Sequence, residues 1–402
     1  MKINTMRLLD DWLGRPLCLV ATALEKARRL GDDVPVGRRL LVIKLSEQGA
    51  VVMLGEPFRR LREGYARENI WFLAFEESRP ILKIMDLVPP ENILTISCKS
   101  LGSFVASTFH ALKKIWSLKV DAALDLEFFS RASALLAWLS GARRRTGVHS
   151  FFGAGPWRGE LMTHPVKFNP HLHISQMFGA LIEAALLPEN TLQRLEFIPG
   201  PVAPVKECFE PTAEEEVLVE ALVRECGGQP GETLVLLNAN TSDRELIPLR
   251  RWDEQNYAEL ARQILARFGQ ARVLLTGGPG EAGAVAGLER AVGSGRCRSV
   301  AGRTTLRELM TLYRRSALMV TNDSGPAHFA ALTGMPVVVL FGPETPQLWR
   351  PLGKEVRVIC RGLACSPCFS IENGRRSGCR RNACMDMTPG EVMGAVTALL
   401  EQ

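Results

Sequence analysis

The clearest chemical pattern in the sequence surrounds Asp323. The turn NDSGP, residues 322–326, follows an apolar run and opens a short predicted helix that carries His328 about one turn in. An Asp or Ser cap followed by proline is typical of a helix start. Backbone amides at such a start attract phosphate, and Gly325 has no side chain to keep it away. The same residues also fit a plain helix cap and a buried core histidine.

A second glycine pattern is similar to a dinucleotide-binding loop. Residues 278–283, GPGEAG, match G-x-G-x-x-G after an apolar run. Pro279, however, removes one amide donor from the loop. No acid ends the next apolar run either, because CRSVAGRTT offers only Arg303 and threonines. A nicotinamide dinucleotide is therefore a minor alternative for this loop.

Cysteines are concentrated near the C-terminus. Four of the ten have the spacing C-x2-C, ten residues, then C-x4-C, and these are Cys365, Cys368, Cys379 and Cys384. The spacing predicts a structural metal knuckle that clips the tail, since four thiolates leave no coordination position for chemistry. The alternative is unligated thiols packed on the sheet, or a redox pair.

Short apolar runs alternate with segments of helical period and must position these residues. Predicted strands cover 40–43, 70–75, 93–96, 122–126, 233–237, 271–275, 297–300, 317–320, 337–341 and 356–360. Helices are predicted between them, for example over 255–268 and 305–313. This alternation indicates an α/β protein with parallel sheets and helices on both faces.

The chain of 402 residues fits two α/β domains. Four prolines in FIPGPVAPVKECFEP, residues 197–211, predict the linker between them. We therefore expect an N-terminal amphipathic helical extension at 1–35, a Rossmann-like domain at 36–198, and a second at 199–402 that includes a Cys-rich segment at 360–384. The extension predicts a helix over 6–30, kinked at Pro16, that packs on the domain or forms a membrane or oligomer contact.

Composition excludes several classes of protein. The 46% hydrophobic content is typical of a well-packed globular protein, and a net charge of +6 with only three tyrosines does not favour a nucleic-acid groove. That charge suits anionic small molecules or a membrane surface. The apolar run at 17–24 is too short to span a bilayer. The sequence predicts a cytoplasmic protein with reduced cysteines.

The second half of the chain also resembles the glycosyltransferase family that contains the ADP-heptose lipopolysaccharide heptosyltransferases. The shared positions are Asp323, Ser324, Gly325, His328, the strand PVVVLFG at 336–342, Thr345, Pro346, Trp349 and Pro351. LLNANTSDRELIPLRRW, VLLTGGPGE and RLLVIKLSEQGAVV are also similar to family segments. The resemblance covers about residue 39 to the C-terminus.

The resemblance implies a GT-B fold, in which two Rossmann-like domains face a cleft. It implies metal-independent, inverting transfer of a heptose or related sugar from a nucleotide donor, ADP-linked in this family. The acceptor would be a lipopolysaccharide-type or other glycan at the inner face of the membrane, which would make the protein a peripheral one. No catalytic cofactor is implied, and one branch of the family carries iron, so the cysteine knuckle would hold zinc or iron.

Motif positions assign donor roles by the same resemblance. Ser324, Gly325 and His328 would hold the donor diphosphate, with Asp323 orienting the loop or the sugar. The anion site would be completed by Asn240, Thr241 and Arg250, with Arg251 as the alternative arginine. The loop that carries Gly277, Gly278 and Glu281 would lie beside the nucleoside.

The resembled enzymes carry a catalytic aspartate directly after the glycine of the first βα turn, where this chain has Ala50. Inverting transfer needs a base for the proton of the acceptor hydroxyl, and alanine cannot accept it. Glu47 in the same turn, or Asp125 or Glu127 after a neighbouring strand, would replace it. The alternative is a catalytically silent relative that binds nucleotide sugar or acts as a scaffold.

Overall fold

The computed structural model describes residues 3–28, 37–150, 155–187, 197–241, 248–371, 373–375 and 377–401. The chain divides into two compact units. Unit 1 is Met1–Val202 with Ser370–Arg376, and unit 2 is Ala203–Phe369 with Ser377–Gln402. The domain limits drawn from the sequence stay predictions. The end of the predicted N-terminal helix, at 29–30, and residues 242–247 of the family-like segment LLNANTSDRELIPLRRW lie outside the described residues.

Unit 1 is an α/β unit built on one parallel sheet. Its strands are β1 (Leu40–Ile43), β2 (Ile70–Phe75), β3 (Ile93–Ile96), β4 (Ala122–Asp125), β5 (Arg144–His149) and β6 (His164–Lys167). Its helices are α1 (Ile3–Trp12), α2 (Gly14–Arg28), α3 (Gln48–Val52), α4 (Gly55–Gly64), α5 (Arg79–Met85), α6 (Leu101–Leu118), α7 (Arg131–Leu139) and α8 (Ile174–Leu186).

The strand order in unit 1 is β3-β2-β1-β4-β5-β6, with all neighbours parallel. Sequence order reverses between β1 and β4, and ligands of doubly wound sheets bind at the carboxyl ends of the strands at such a point. The residues that follow β1 and β4 therefore occupy the position where chemistry is expected in this unit.

Two strands of unit 1 were not predicted, β5 and β6. The strand β5 contains two arginines, Arg144 and Arg145, and both are buried. The Arg144 guanidinium donates to the carbonyls of Ala184 and Ala185 at 3.2 Å each. Arginines satisfied by carbonyls inside a strand hide the apolar periodicity that marks strands in a sequence.

The N-terminal extension folds as two helices and not as one kinked at Pro16. The helix α1 ends at Trp12 and α2 begins at Gly14, so Pro16 lies in the first turn of α2. Proline is tolerated there because the first turn has no intrahelical partner for its missing N–H. No helix in the described parts of the chain is long and apolar enough to cross a membrane.

Unit 2 repeats the same architecture. Its strands are β7 (Thr233–Asn238), β8 (Ala271–Leu275), β9 (Cys297–Ser299), β10 (Leu318–Asn322), β11 (Val337–Phe341) and β12 (Val356–Cys360). Its helices are α9 (Ala213–Glu225), α10 (Glu254–Arg267), α11 (Ala282–Val292), α12 (Leu306–Arg315), α13 (Gly325–Ala331), α14 (Pro346–Trp349) and α15 (Pro389–Leu400). The parallel order β12-β11-β10-β7-β8-β9 places its reversal between β7 and β10.

Candidate active site

The carboxyl ends of β7 and β10 meet at the reversal point of the unit 2 sheet. Asn322, at the end of β10, is completely buried and donates to the carbonyl of Ala239 at 3.1 Å, while its oxygen accepts from the Trp252 amide at 3.0 Å. Asn240 donates from Nδ2 to the Thr276 carbonyl at 3.2 Å. These bonds fix the loop after β7 against the ends of β8 and β10.

Buried polar side chains lie around the loop after β7. Arg250 donates from one nitrogen to the Asp323 carboxylate at 2.7 Å and also to the Asp323 carbonyl. Its Nε and the hydroxyl of Thr241 are buried, and neither has a hydrogen-bond partner among the described residues. A buried donor without a partner carries a desolvation cost of about 1–3 kcal/mol unless a ligand or water meets it. Arg251 instead contacts Glu254 at 3.4 Å, which makes Arg250 the arginine directed to Asp323.

The helix α13 presents its start to the same edge of the sheet. Ser324 occupies the cap position, but its hydroxyl donates back to the Asn322 carbonyl at 3.2 Å and does not cap the helix. A Cβ on Gly325 would meet only the Phe329 ring at 3.5 Å, an ordinary contact, so internal packing does not require glycine there. His328 is buried within α13.

The loop after β8 is held by contacts within unit 2. A Cβ on Gly277 would lie 2.8 Å from Asn240 Nδ2, so glycine is required here by packing. The Glu281 carboxylate accepts the Gly278 amide at 2.8 Å and thereby holds its own loop. The donor-facing roles of these three residues stay predictions.

In unit 1, the first βα turn is tighter than the sequence indicates. The left-handed residue is Glu47, with φ 64°, and not Gly49, which lies inside α3. Left-handed backbone costs a non-glycine residue about 1–2 kcal/mol, and such conformations cluster at functional sites. Ala50 is 2% exposed, so a buried methyl group lies at the position where the resemblance predicts an acid.

A buried lysine, which sequence reasoning did not single out, organises this turn. Lys44 is completely buried and donates to the Ser46 carbonyl at 2.8 Å, to Glu127 Oε1 at 3.1 Å and to Glu47 Oε2 at 3.4 Å. Burial alone would lower the pKa of Lys44, but the two carboxylates outweigh it and raise the pKa. The only signal in the sequence is a charge that ends the apolar run LLVIK.

Glu127 is anchored by one carboxylate oxygen. Its Oε1 accepts the amides of Leu45 and Ser46 at 2.8 and 2.9 Å in addition to Lys44. No hydrogen bond from the described residues reaches its Oε2. Glu127 therefore has a fixed orientation with one oxygen left for another partner.

Asp125 is unsuited to proton transfer with an acceptor. Its side chain is fully buried, forms an ion pair with Arg158 and accepts the Ser133 hydroxyl at 2.9 Å. Burial raises the pKa of Asp125 to about 6, against the opposing effect of Arg158. A carboxyl without solvent access and with both oxygens bonded within unit 1 supports the sheet edge and cannot meet a substrate hydroxyl.

Both oxygens of Glu47 are also engaged. Oε1 pairs with Arg375 and Oε2 with Lys44, both within unit 1. Burial would raise the pKa of Glu47, but these two cations lower it to about 2. A carboxylate with so low a pKa is a weak proton acceptor.

The described part of the cysteine segment shows no group of side chains arranged as a metal site. All ten cysteines lie in described parts of the chain and none is in a disulfide. No three metal-ligating side chains among the described residues are arranged to hold an ion, although Cys384 lies close enough to Cys365, Cys368 and Cys379 for their charges to interact. The structure thus gives no support to the zinc or iron that the spacing predicted.

Comparison with known proteins places these features in a family. Residues 110–376 match the family described as glycosyltransferase family 9 (heptosyltransferase). Lipopolysaccharide heptosyltransferase 2 of Escherichia coli K12 is 26% identical over 383 residues, which cover 90% of this chain and 99% of the relative. Lipooligosaccharide heptosyltransferase 2 of Haemophilus influenzae is 24% identical over 372 residues, with the same coverage of 90% and 99%.

Solved structures agree on the fold. The ADP-heptose lipopolysaccharide heptosyltransferase II of E. coli matches with a TM-score of 0.67 at 23% identity, over 90% of this chain and 99% of that one. An E. coli heptosyltransferase solved with ADP matches with a TM-score of 0.60 at 17% identity and the same coverage. The predicted α/β architecture of the GT-B type is confirmed. With the family match spanning well over half of its length, the chain belongs to glycosyltransferase family 9, the heptosyltransferase family.

Proposed function

We propose that this glycosyltransferase is inverting and metal-independent, and that it moves a heptose or related sugar from an ADP-linked donor to a lipopolysaccharide-type glycan. The observation that carries the proposal is a pair of buried donors at the reversal point of the unit 2 sheet, Thr241 Oγ1 and Arg250 Nε, which have no hydrogen-bond partner in the described part of the chain. Relatives named for ADP-heptose and for lipopolysaccharide support the choice of donor and acceptor.

The donor side is proposed to stabilise the leaving diphosphate. As the bond between sugar and diphosphate breaks, negative charge develops on the phosphate oxygens. A guanidinium and fixed donors in a water-poor site stabilise that charge without a divalent cation. Arg250 and Thr241 would supply these groups, and Ser324, Gly325 and His328 would line the same phosphates.

The base is proposed to be Glu127. Its anchored carboxylate keeps Oε2 available, whereas both oxygens of Glu47 are paired and Asp125 is buried. The acceptor hydroxyl would give its proton to Glu127 Oε2 while its oxygen forms the new bond at the anomeric carbon. The electron pair of the breaking bond would leave with ADP.

Donor binding is tested by thermal unfolding with ADP, UDP, GDP and ADP-heptose. ADP at about 100 times its dissociation constant should stabilise the protein by about 2.7 kcal/mol. Arg250→Ala should remove this shift, whereas the neighbouring Arg251→Ala should retain it. Equal stabilisation of the two variants would contradict the role of Arg250, and a larger shift with UDP or GDP would contradict the adenine preference.

The base is tested by sugar transfer in the presence of a chelator, with ADP binding measured on the same variants. Glu127→Gln should lower kcat by about 10²–10⁴-fold while the ADP shift stays unchanged. Asp125→Asn is the matched control and should change stability more than turnover. Full turnover by Glu127→Gln would remove Glu127 as the base, and loss of native activity on chelation would contradict metal independence.

The second candidate is a nucleotide-sugar-binding relative without transfer activity. Its support is Ala50, which is buried where the family carries an acid. In that case the native protein would show the ADP shift and Arg250→Ala would lose it, but no transfer would occur with any acceptor. Ala50→Asp should then restore turnover if only the acid is lacking.

A further inference from the structure

Large apolar side chains cover the outer surface of the two N-terminal helices of unit 1. Trp12 is 78% exposed, and Val20 is 59% exposed. Other exposed apolar side chains among the described residues are Leu8 of α1, Leu13 between the two helices, and Leu17, Leu19 and Leu24 of α2. Exposed apolar residues are ordinary when scattered singly, but a dense patch marks an interaction surface.

The packing of α2 explains why these apolar side chains face solvent. Cys18 and Ala21 of α2 form a small core cluster with Ala134 of α7. Leu17, Val20 and Leu24 follow at helical spacing on a different side of α2 and are all about half exposed or more. Among the described residues, this outer stripe of α2 has no core to pack against.

A second apolar stripe lies on α6, on the same face of the sheet. Both α6 and α7 contribute to one core cluster over β1, and the Trp116 indole of α6 donates to the Leu139 carbonyl at the end of α7 at 2.7 Å. Phe109 of α6 is 62% exposed, and Leu101, Val105 and Trp116 are exposed with it. The short α7 thus lies between two helices that each present apolar side chains to solvent.

The charges on this face are predominantly positive. Neither α6 nor α7 contains an acidic residue. The three acids of α1 and α2 are directed inward, where Asp10 and Asp11 pair with Arg131 and Glu25 pairs with Arg145. Arg15, Lys26, Lys113 and Lys114 are exposed on these helices, and no ion pair engages them in the described parts of the chain.

We propose that α1, α2, α6 and α7 form a docking face for an anionic lipid surface. Exposed tryptophan, phenylalanine and leucine side chains would insert at the level of the headgroups, and the lysines and arginine would contact acidic lipids. Each cation near such a surface adds about 1 kcal/mol of attraction, which corresponds to about fivefold in affinity. The inference concerns an interaction surface and does not depend on which sugar is transferred.

The charge pattern favours lipid over a second copy of the chain. A two-fold symmetric contact brings the same patch of each copy together. Arg15 and Lys26 of one copy would then face the same cations of the other, with no exposed acid on these helices to offset the repulsion. An anionic bilayer offers both an apolar interior and negative charge.

The test is co-sedimentation of the full chain with vesicles made of equal parts phosphatidylethanolamine and phosphatidylglycerol, compared with vesicles of phosphatidylcholine alone. The native protein should bind the anionic vesicles, and less strongly as salt is raised. Trp12→Ser with Val20→Ser should weaken binding by about tenfold or more. Arg15→Gln with Lys26→Gln should weaken binding only to the anionic vesicles, by about twenty-five-fold.

Val217→Ser with Leu218→Ser is the matched control, because these exposed side chains lie on α9 of unit 2. It should bind as the native protein does, and all variants should retain the native melting temperature because every substituted side chain is exposed. Failure of the native chain to bind would overturn the proposal. Equal weakening of vesicle binding by the α9 control would also overturn it. So would a native chain that binds no vesicles but associates with itself, if the Trp12 and Val20 substitutions abolish that self-association.

Discussion

Replacing Lys44 with methionine should destabilise unit 1 strongly, because this lysine is the buried counter-charge of the first βα turn. Methionine keeps most of the apolar stem and removes only the ammonium group. The change then leaves the carboxylates of Glu127 and Glu47 without the cation that lies 3.1 and 3.4 Å from their nearest oxygens. Removing one partner of a buried ion pair typically costs about 3–5 kcal/mol.

The structure favours the lower end of that range. Glu127 Oε1 keeps the amides of Leu45 and Ser46 at 2.8 and 2.9 Å, and Glu47 keeps its partner Arg375. The cost of burying the ammonium group is also removed. We therefore expect about 3 kcal/mol, which corresponds to a fall in melting temperature of about 6–12 °C for a unit of this size.

Calorimetry of the native chain, Lys44→Met, Glu127→Gln and the double variant gives the measurement. Because the two substitutions remove the same ion pair, the double variant should be more stable than the sum of the single changes predicts, by about 1–3 kcal/mol. ADP stabilisation, which we propose depends on unit 2, should be unchanged in all four proteins. A melting temperature for Lys44→Met within about 2 °C of native, or strict additivity, would refute the assigned role of the lysine.

Three further changes test other parts of the site. Because the pKa of Glu47 lies at about 2, its ion pairs stabilise the fold above pH 4.5, and this contribution is lost as pH falls toward 2. Urea midpoints of the native chain and Glu47→Gln should therefore converge as pH is lowered from about 6 to 3; a constant gap would argue against these ion pairs. Asn322→Ala should lower stability by about 2–4 kcal/mol and weaken the ADP shift, since it leaves the Trp252 amide and the Ala239 carbonyl unpaired. Elemental analysis of the native protein and Cys365→Ser should show no stoichiometric metal in either protein. Zinc or iron that is present in the native protein and lost from the variant would instead support the metal knuckle.

Much of the secondary structure and the family pattern could be predicted from the sequence. The predicted strands over 40–43, 70–75 and 93–96 coincide with β1, β2 and β3. The strands β1 and β2 are buried on both faces, so their residues form continuous apolar runs, which local pattern detects. The strand β5 was not predicted, because Arg144 and Arg145 are satisfied by carbonyls that lie outside the strand. The strand β6 was not predicted either, because its four residues, HPVK, include a proline and form no apolar run.

The residues of the candidate site also fall into two groups, those that the sequence predicted and those that only the fold could select. Residue type and spacing were enough to select Asp323 and the turn at 324–325, because this is a short segment with its own chemistry, whereas the pair at 250–251 came from the resemblance to the family. The choice between Arg250 and Arg251 required the fold, because Asp323 is 73 residues away from Arg250 in the sequence.

The carboxylates of unit 1 depend still more on distant partners. Glu127 and Lys44 are 83 residues apart, Asp125 and Arg158 are 33 apart, and Glu47 and Arg375 are 328 apart. The sequence by itself placed three carboxylates near the sheet edge, and its resemblance to the family predicted that an acid is missing at Ala50. Only the tertiary structure decided which one keeps an oxygen available, because that depends on which cations and amides folding brings to each carboxylate.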